Sequence, residues 1–139
     1  MPQFTAYLSF DGNCTEAMRF YEKVLEGKLE ALITNGQTPS AGELPPGNED
    51  RIMHAYLTFD GGVLMAGDSV VGWPYEKMQG FHLTISYPTA EAGKRAFDAL
   101  SEGGTVKMEW QKTFWAEGFG MLVDRFGTPW IVNGNSQSM

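Results

Sequence analysis

The chain has 139 residues, enough for one domain with its own core. Apolar residues make up 42% and charged ones 19%, an ordinary globular balance, and the formal net charge of −7 repels phosphate backbones and so argues against nucleic acid as a partner. No apolar run approaches the roughly 20 residues that cross a bilayer, no basic segment leads into an apolar one as in a secretion signal, and the lone Cys14 can form neither an internal disulfide nor a zinc cluster, so a cytoplasmic protein off the membrane is expected.

Residues 4–10, FTAYLSF, alternate as a strand with Ala6, Leu8 and Phe10 on one side and Thr5, Tyr7 and Ser9 on the other. A turn at Asp11 and Gly12 leads into a helix, with Asn13 as its expected N-cap and Glu16 completing a capping-box-like pair. Ala17, Phe20, Tyr21, Val24 and Leu25 form its apolar stripe, and Gly27 is the expected residue just past its end. Lys28–Thr34 resumes as a strand.

Residues 35–51, NGQTPSAGELPPGNEDR, have no apolar period and read as a long loop, either a lid or disordered. A hairpin follows: Ile52–Phe59, a turn at residues 60–62, and a strand over residues 63–66. Residues 67–79 form a second loop carrying Trp73 and Tyr75. The pattern then restarts, with a strand at residues 81–87, a helix capped by Thr89 reaching about Glu102, and a stop at Gly103 and Gly104. A strand at residues 105–112 precedes the stretch FWAEGFGMLVDRFGTPWIVN, residues 114–133. This reads as strands 119–124 and 129–133 joined by a turn in which Gly127 supplies a positive φ, with Pro129 at the strand's first residue because it has no N–H to donate.

The order strand–helix–strand–strand–strand therefore occurs twice. A shift of 75 residues aligns Tyr7 with His82, Leu8 with Leu83, Glu16 with Glu91 and Leu25 with Leu100; a shift of 66 aligns Gly61 with Gly127, Met65 with Ile131 and Ala66 with Val132. The expected fold class is α+β, two βαβββ repeats at about residues 1–79 and 80–139 of a single domain, pairing into a curved mixed sheet with helices outside and a concave pocket.

With these segments in this order, YLSFDGNCTEAMRFYEKVL, IMHAYLTFDGGVLMAGDS, FHLTISY and FWAEGFGMLVDRFGTPWIVN, the chain resembles the vicinal oxygen chelate superfamily of glyoxalase I, bleomycin-resistance proteins and extradiol dioxygenases, and within it the PhnB-like branch, whose members are often labelled 3-demethylubiquinone-9 3-methyltransferase-like. The resemblance implies a homodimer. It also implies that a divalent metal, where one is used, is held by inward side chains of the first and last strand of each repeat. Mapped by the repeat, those positions are Tyr7, Met65, His82 and Ile131. Methionine is soft and isoleucine is no ligand, and a catalytic divalent site generally wants about three protein ligands, so no metal and no other cofactor is expected.

The expected role is binding of a small organic molecule in an aromatic-lined cup, with Tyr7, Ser9, Met65, His82, Trp115 and Ile131 as candidate contacts and Thr84, Asn133 and Met121 as further wall. The alternative is a metal-dependent lyase, isomerase or dioxygenase using His82, the best catalytic candidate, and the residues leave open whether the chain is an enzyme. His82 also reads as a pocket-edge histidine bonded to backbone. His54, alternating with Tyr56 and Thr58, reads as structural or surface. Aromatics dominate cores, so Trp110 and Trp115 also read as packing residues. Asp68 and Asp124 are candidates for carboxylate chemistry, neither at a metal position; Asp124 beside Arg125 also reads as marking a hairpin turn or an ion pair, and Cys14 at a helix N-terminus is expected to have a lowered pKa but no base beside it. Methyltransfer is not expected: Gly118 and Gly120 precede a strand, whereas a nucleoside-binding glycine turn opens a helix.

Overall fold

In the computed structural model, which describes residues 2–39 and 41–137, the twofold sequence pattern becomes two compact units, residues 1–76 and 77–139. The first contains β1 (Ala6–Phe10), α1 (Cys14–Val24), β2 (Lys28–Thr34), β3 (Ile52–Phe59) and β4 (Gly62–Asp68). The second contains β5 (Leu83–Tyr87), α2 (Ala90–Ser101), β6 (Thr105–Gln111), β7 (Ala116–Val123) and β8 (Pro129–Ser136). Each unit forms a four-stranded mixed sheet, ordered β1-β4-β3-β2 in one and β5-β8-β7-β6 in the other. The first and last strands of each repeat pair in parallel and the remaining pairs are antiparallel. Among the described residues no helix is long and apolar enough to cross a membrane.

The period of two along each strand separates the faces. In the first unit Leu8, Ala66 and Ala55 lie side by side in the ladder and are buried, and α1 packs on the sheet with Cys14, Ala17, Met18 and Tyr21 buried. In the second, Trp130 and Leu122 are paired and buried, and α2 supplies Ala96, Phe97 and Leu100. Side chains at Gly118 and Gly120 would collide with the rings of Trp110 and Phe97, respectively, so both glycines make room for aromatic packing. Trp110 and Phe97 lie 5.5 Å apart, and Trp110 also rests against Gly93 of α2; it is a packing residue.

The helix starts differ from each other. Thr89 caps α2 as expected, its Oγ1 accepting from the Ala92 N–H at 3.1 Å. Asn13 makes no side-chain cap, and the expected capping box is replaced by a residue from the far end of the unit. Asp68, directly opposite Phe10 in the parallel ladder, accepts from the N–H groups of Gly12 at 2.9 Å and Cys14 at 3.0 Å through one oxygen and from the Ile52 N–H at 2.9 Å through the other. A bond to a charged acceptor is worth about 1.5–3 kcal/mol against about 1 kcal/mol for a local cap, so the distant carboxylate wins. At the other end of α1 the left-handed residue is Glu26 (φ 52), not Gly27. The bonds Glu26 N–H to Lys23 O and Gly27 N–H to Glu22 O make a Schellman motif in which Gly27 is one position later than expected. Gly27 is needed for space instead, because a Cβ there would stand 2.5 Å from the Thr58 carbonyl oxygen.

The segment between β2 and β3 is pinned rather than loose. It contains two short 3-10 turns, Asn35–Gln37 and Ala41–Glu43; Ser40 lies outside the described residues. Asn35 and Asn48 are buried. Asn35 Nδ2 donates to Asn48 O at 3.0 Å, and Asn48 Oδ1 accepts from the Val71 N–H at 2.9 Å, which ties the segment to the chain beyond β4. In the second unit Asp124 closes the β7–β8 turn: its carboxylate accepts from Phe126 N–H, Thr128 N–H and Trp130 Nε1 at 2.9–3.0 Å, with Gly127 at φ 93 and Pro129 opening β8.

Replacing Asp68 by Ala is expected to cost about 2–4 kcal/mol in urea unfolding, whereas Asn13→Ala costs less than about 0.5 kcal/mol. Equal losses from the two substitutions would show that the cap is local after all.

Candidate functional site

Each sheet has one face under its helix and one face without it. On the second face of the first sheet, the ladder sets Tyr7, Met65 and Tyr56 side by side on β1, β4 and β3. Ser9 and Gly67 are paired in the next row, and His54 lies on the same face of β3. The His54 ring is stacked on Tyr7 with centroids 6.2 Å apart and tilted against Tyr56 at 6.3 Å. Tyr7 is half-exposed and Ser9 exposed, while Met65, Tyr56 and His54 are partly exposed. The Tyr7 hydroxyl lies over Gly67, where a Cβ would come within 2.5 Å of it, and donates to Met53 O at 2.9 Å. Burial, and then the neighbouring Cys14 and Asp68, push its pKa above the ordinary tyrosine value, so the proton stays on.

On the corresponding face of the second sheet the ladder aligns Thr84, Ile131 and Met121, and in the next row Ser86, Asn133 and Phe119. Asn133 Nδ2 donates to Ser86 Oγ at 3.3 Å, while its Oδ1 is buried with no hydrogen-bond partner among the described residues. Trp115 stands edge-on to Phe119 at 5.2 Å and to the exposed Phe114 at 4.8 Å. Phe114 and Trp115 form the tip of the β6–β7 connection, closed by the Thr113 N–H donating to Ala116 O at 3.0 Å. Beside that tip is a cleft of about 250 Å³, lined by Lys112, Thr113, Trp115, Glu117, Asn135 and Gln137 among others.

His82 precedes β5, is exposed and lies two residues ahead of Thr84. Tyr7 pairs with Met65 and Thr84 pairs with Ile131, so once Met65 and Ile131 are equated the counterpart of Tyr7 is Thr84. The shift of 75 that pointed to His82 is two short for the strand. The face-lining roles of Tyr56 and His54 were not drawn from the sequence, although their alternation opposite Met65 in a tight hairpin carried the signal. Trp73 and Tyr75 are exposed on the connection after β4. Among the described residues no three His, Cys, Asp or Glu side chains gather as a metal-holding group.

Cys14 reverses its expectation. Its thiol is fully buried, and burial first and the Asp68 carboxylate second push its pKa up from 9.0 to about 12. The α1 N-terminus does not lower it, because the carboxylate that bonds the Cys14 N–H there brings a negative charge that raises the thiol's pKa.

The sequence model described as "Glyoxalase/Bleomycin resistance protein/Dioxygenase superfamily" matches residues 3–132. Protein YjdN of Escherichia coli (strain K12) is 38% identical over 135 residues, covering 91% of each chain. The crystal structure of protein PA1353 from Pseudomonas aeruginosa superimposes with a TM-score of 0.88 at 41% identity, covering 96% of this chain and 97% of that one. A Bacillus cereus structure described as a putative 3-demethylubiquinone-9 3-methyltransferase, PhnB protein, gives a TM-score of 0.78 at 26% identity, covering 95% and 98%.

Because the folded thiol holds its proton more tightly than the unfolded one, its contribution to stability is complete below about pH 9 and is lost as pH rises towards about 12. The fall in unfolding free energy over that window is expected to be shallower in Cys14→Ala. Native protein at pH 8 is expected to be inert to a disulfide-exchange reagent that labels it at once in guanidinium; fast labelling of the native thiol would contradict the buried, raised-pKa assignment.

Proposed function

Since the chain belongs to the glyoxalase/bleomycin resistance/dioxygenase superfamily, we propose that it binds a small organic molecule against the open faces of its sheets, without a catalytic metal. The observation that carries this reading is the row Tyr7, Met65, Tyr56 with His54 stacked beside it, on a face that the helix leaves uncovered. Rings and thioethers present polarisable, adaptable surface to a flat apolar ligand, and Ser9 supplies a polar group at its edge. Ile131 and Met121 give the second sheet a similar apolar wall, with the amide of Asn133 in the next row. A homodimer in the cytoplasm is part of the same proposal.

The residues do not fit a divalent metal. Of the positions implied by the resemblance, Ile131 has no donor, Met65 is soft, and the Tyr7 hydroxyl keeps its proton and spends it on Met53 O. The ladder counterpart of Tyr7, Thr84, offers only a neutral hydroxyl. Methyltransfer, part of the Bacillus cereus protein's description, is not carried over to this chain: Gly118 and Gly120 lie inside β7 and serve aromatic packing, not a turn that opens a helix.

Anilinonaphthalene sulfonate, a flat aromatic probe, is expected to bind saturably, with Met65→Lys and Tyr56→Ala each weakening it about tenfold at unchanged melting temperature. Unaltered binding in both variants would remove the open face from consideration. Calorimetric titration with Zn²⁺ or Ni²⁺ is expected to reveal no site of micromolar or tighter affinity. Such a site, if lost in His82→Ala, would replace this reading with the metal-dependent lyase, isomerase or dioxygenase.

A further inference from the structure

We propose that the cleft at the tip of the β6–β7 connection is a second binding site, and that it takes a small zwitterion of the free α-amino-acid type. The site goes beyond the sheet-face reading, because its walls come from the tip and from the end of β8. Its volume of about 250 Å³ is some eight times the roughly 30 Å³ a water molecule occupies in the liquid, and below the 300–1,000 Å³ of pockets for drug-sized ligands. That favours an occupant smaller than a drug-sized ligand.

The lining carries one charge of each sign. Lys112 and Glu117 are both exposed, and neither makes an ion pair or hydrogen bond among the described residues, so each is available to an opposite charge on a ligand. Opposite charges that line one cleft without pairing to each other suit a molecule that carries both charges itself. A carboxylate is served by the Lys112 ammonium and by the amides of Asn135 and Gln137; an ammonium is served by Glu117 and the ring of Trp115.

Two further observations point to a ligand. Thr113 lines the cleft, and its Oγ1 is buried with no partner among the described residues, a cost of about 1–3 kcal/mol that rotation of the side chain towards a bound ligand would relieve. Asn135 holds a left-handed backbone (φ 50) within β8, a strained conformation that clusters at sites where it positions a side chain. The tip itself is fixed, by Thr113 N–H to Ala116 O and by Gln137 N–H to Trp115 O at 2.7 Å, so the walls are preorganised.

The test is a heteronuclear NMR titration of the full chain with each free L-amino acid, using acetate and methylammonium as single-charge controls. At least one amino acid is expected to shift the amides of residues 112–117 and 135–137 saturably, with a Kd below about 10 mM, and to bind about tenfold more tightly than either control. Lys112→Gln and Glu117→Gln, both surface changes, are each expected to weaken it about tenfold with the dispersed spectrum kept. The proposal is overturned if no amino acid moves these amides, if acetate binds as well as the best amino acid, or if both variants bind like the parent. Met65→Lys, which strips the sheet-face probe, is expected to leave this titration unchanged, so either site can fail without the other.

Discussion

The first half of the molecule depends on one carboxylate. Asp68 ends β4, and the parallel β1–β4 ladder sets it opposite Phe10, where the chain leaves the sheet for α1. From there it holds the turn at Gly12, the first residue of α1 and the first residue of β3. The last strand of the repeat thereby ties down the turn by which the chain leaves the first strand and enters the helix. The same charge gives α1 its N-terminal acceptor and adds to burial, the larger cause, in keeping the Cys14 thiol protonated. The second half solves its problem locally, with Thr89 capping α2 and Asp124 closing the β7–β8 turn within a few residues of itself.

Once each helix has taken one face, the period of two decides the character of the other. Residues there come from alternate positions of strands far apart in sequence, and the ladder dictates their company. Met65 is placed between Tyr7 and Tyr56, and Ile131 between Thr84 and Met121. Aliphatic, thioether and aromatic groups at these positions suit recognition of organic surface, whereas divalent-metal chemistry needs histidine or carboxylate there. The family supplies the scaffold, and the residues on this face set its chemistry.

The strands and helices were legible because each is written in its own short stretch. Lys28–Thr34 and Ile52–Phe59 match their expected bounds, Thr89 caps its helix, Pro129 opens its strand, and the two repeats follow from the restart after residue 80. Register was less legible. The shift that aligned Tyr7 with His82 satisfied the alternation as well as the observed one does, because a slip of two residues keeps every side chain on its own face. Only the pairing of Thr84 with Ile131 distinguishes the two. The residues on the faces without helices were likewise only partly visible: Tyr7, Met65 and Ile131 emerged from the repeat, but Tyr56 and His54 needed the hairpin and the side taken by the helix.

By itself, then, the sequence determined the elements, their twofold order and the apolar content of the ladder positions, since hydrophobic period, caps and turn residues act over a few neighbouring positions. Tertiary structure alone decided that Asp68 rather than Asn13 caps α1, that Cys14 is a suppressed rather than an activated thiol, and that Lys112, Thr113, Glu117 and Asn135 border one cleft. Each of these depends on which groups from distant segments come within bonding range or exclude water together. Hydrogen bonds and desolvation respond to distances of a few ångströms in space, and separation along the chain does not report those distances.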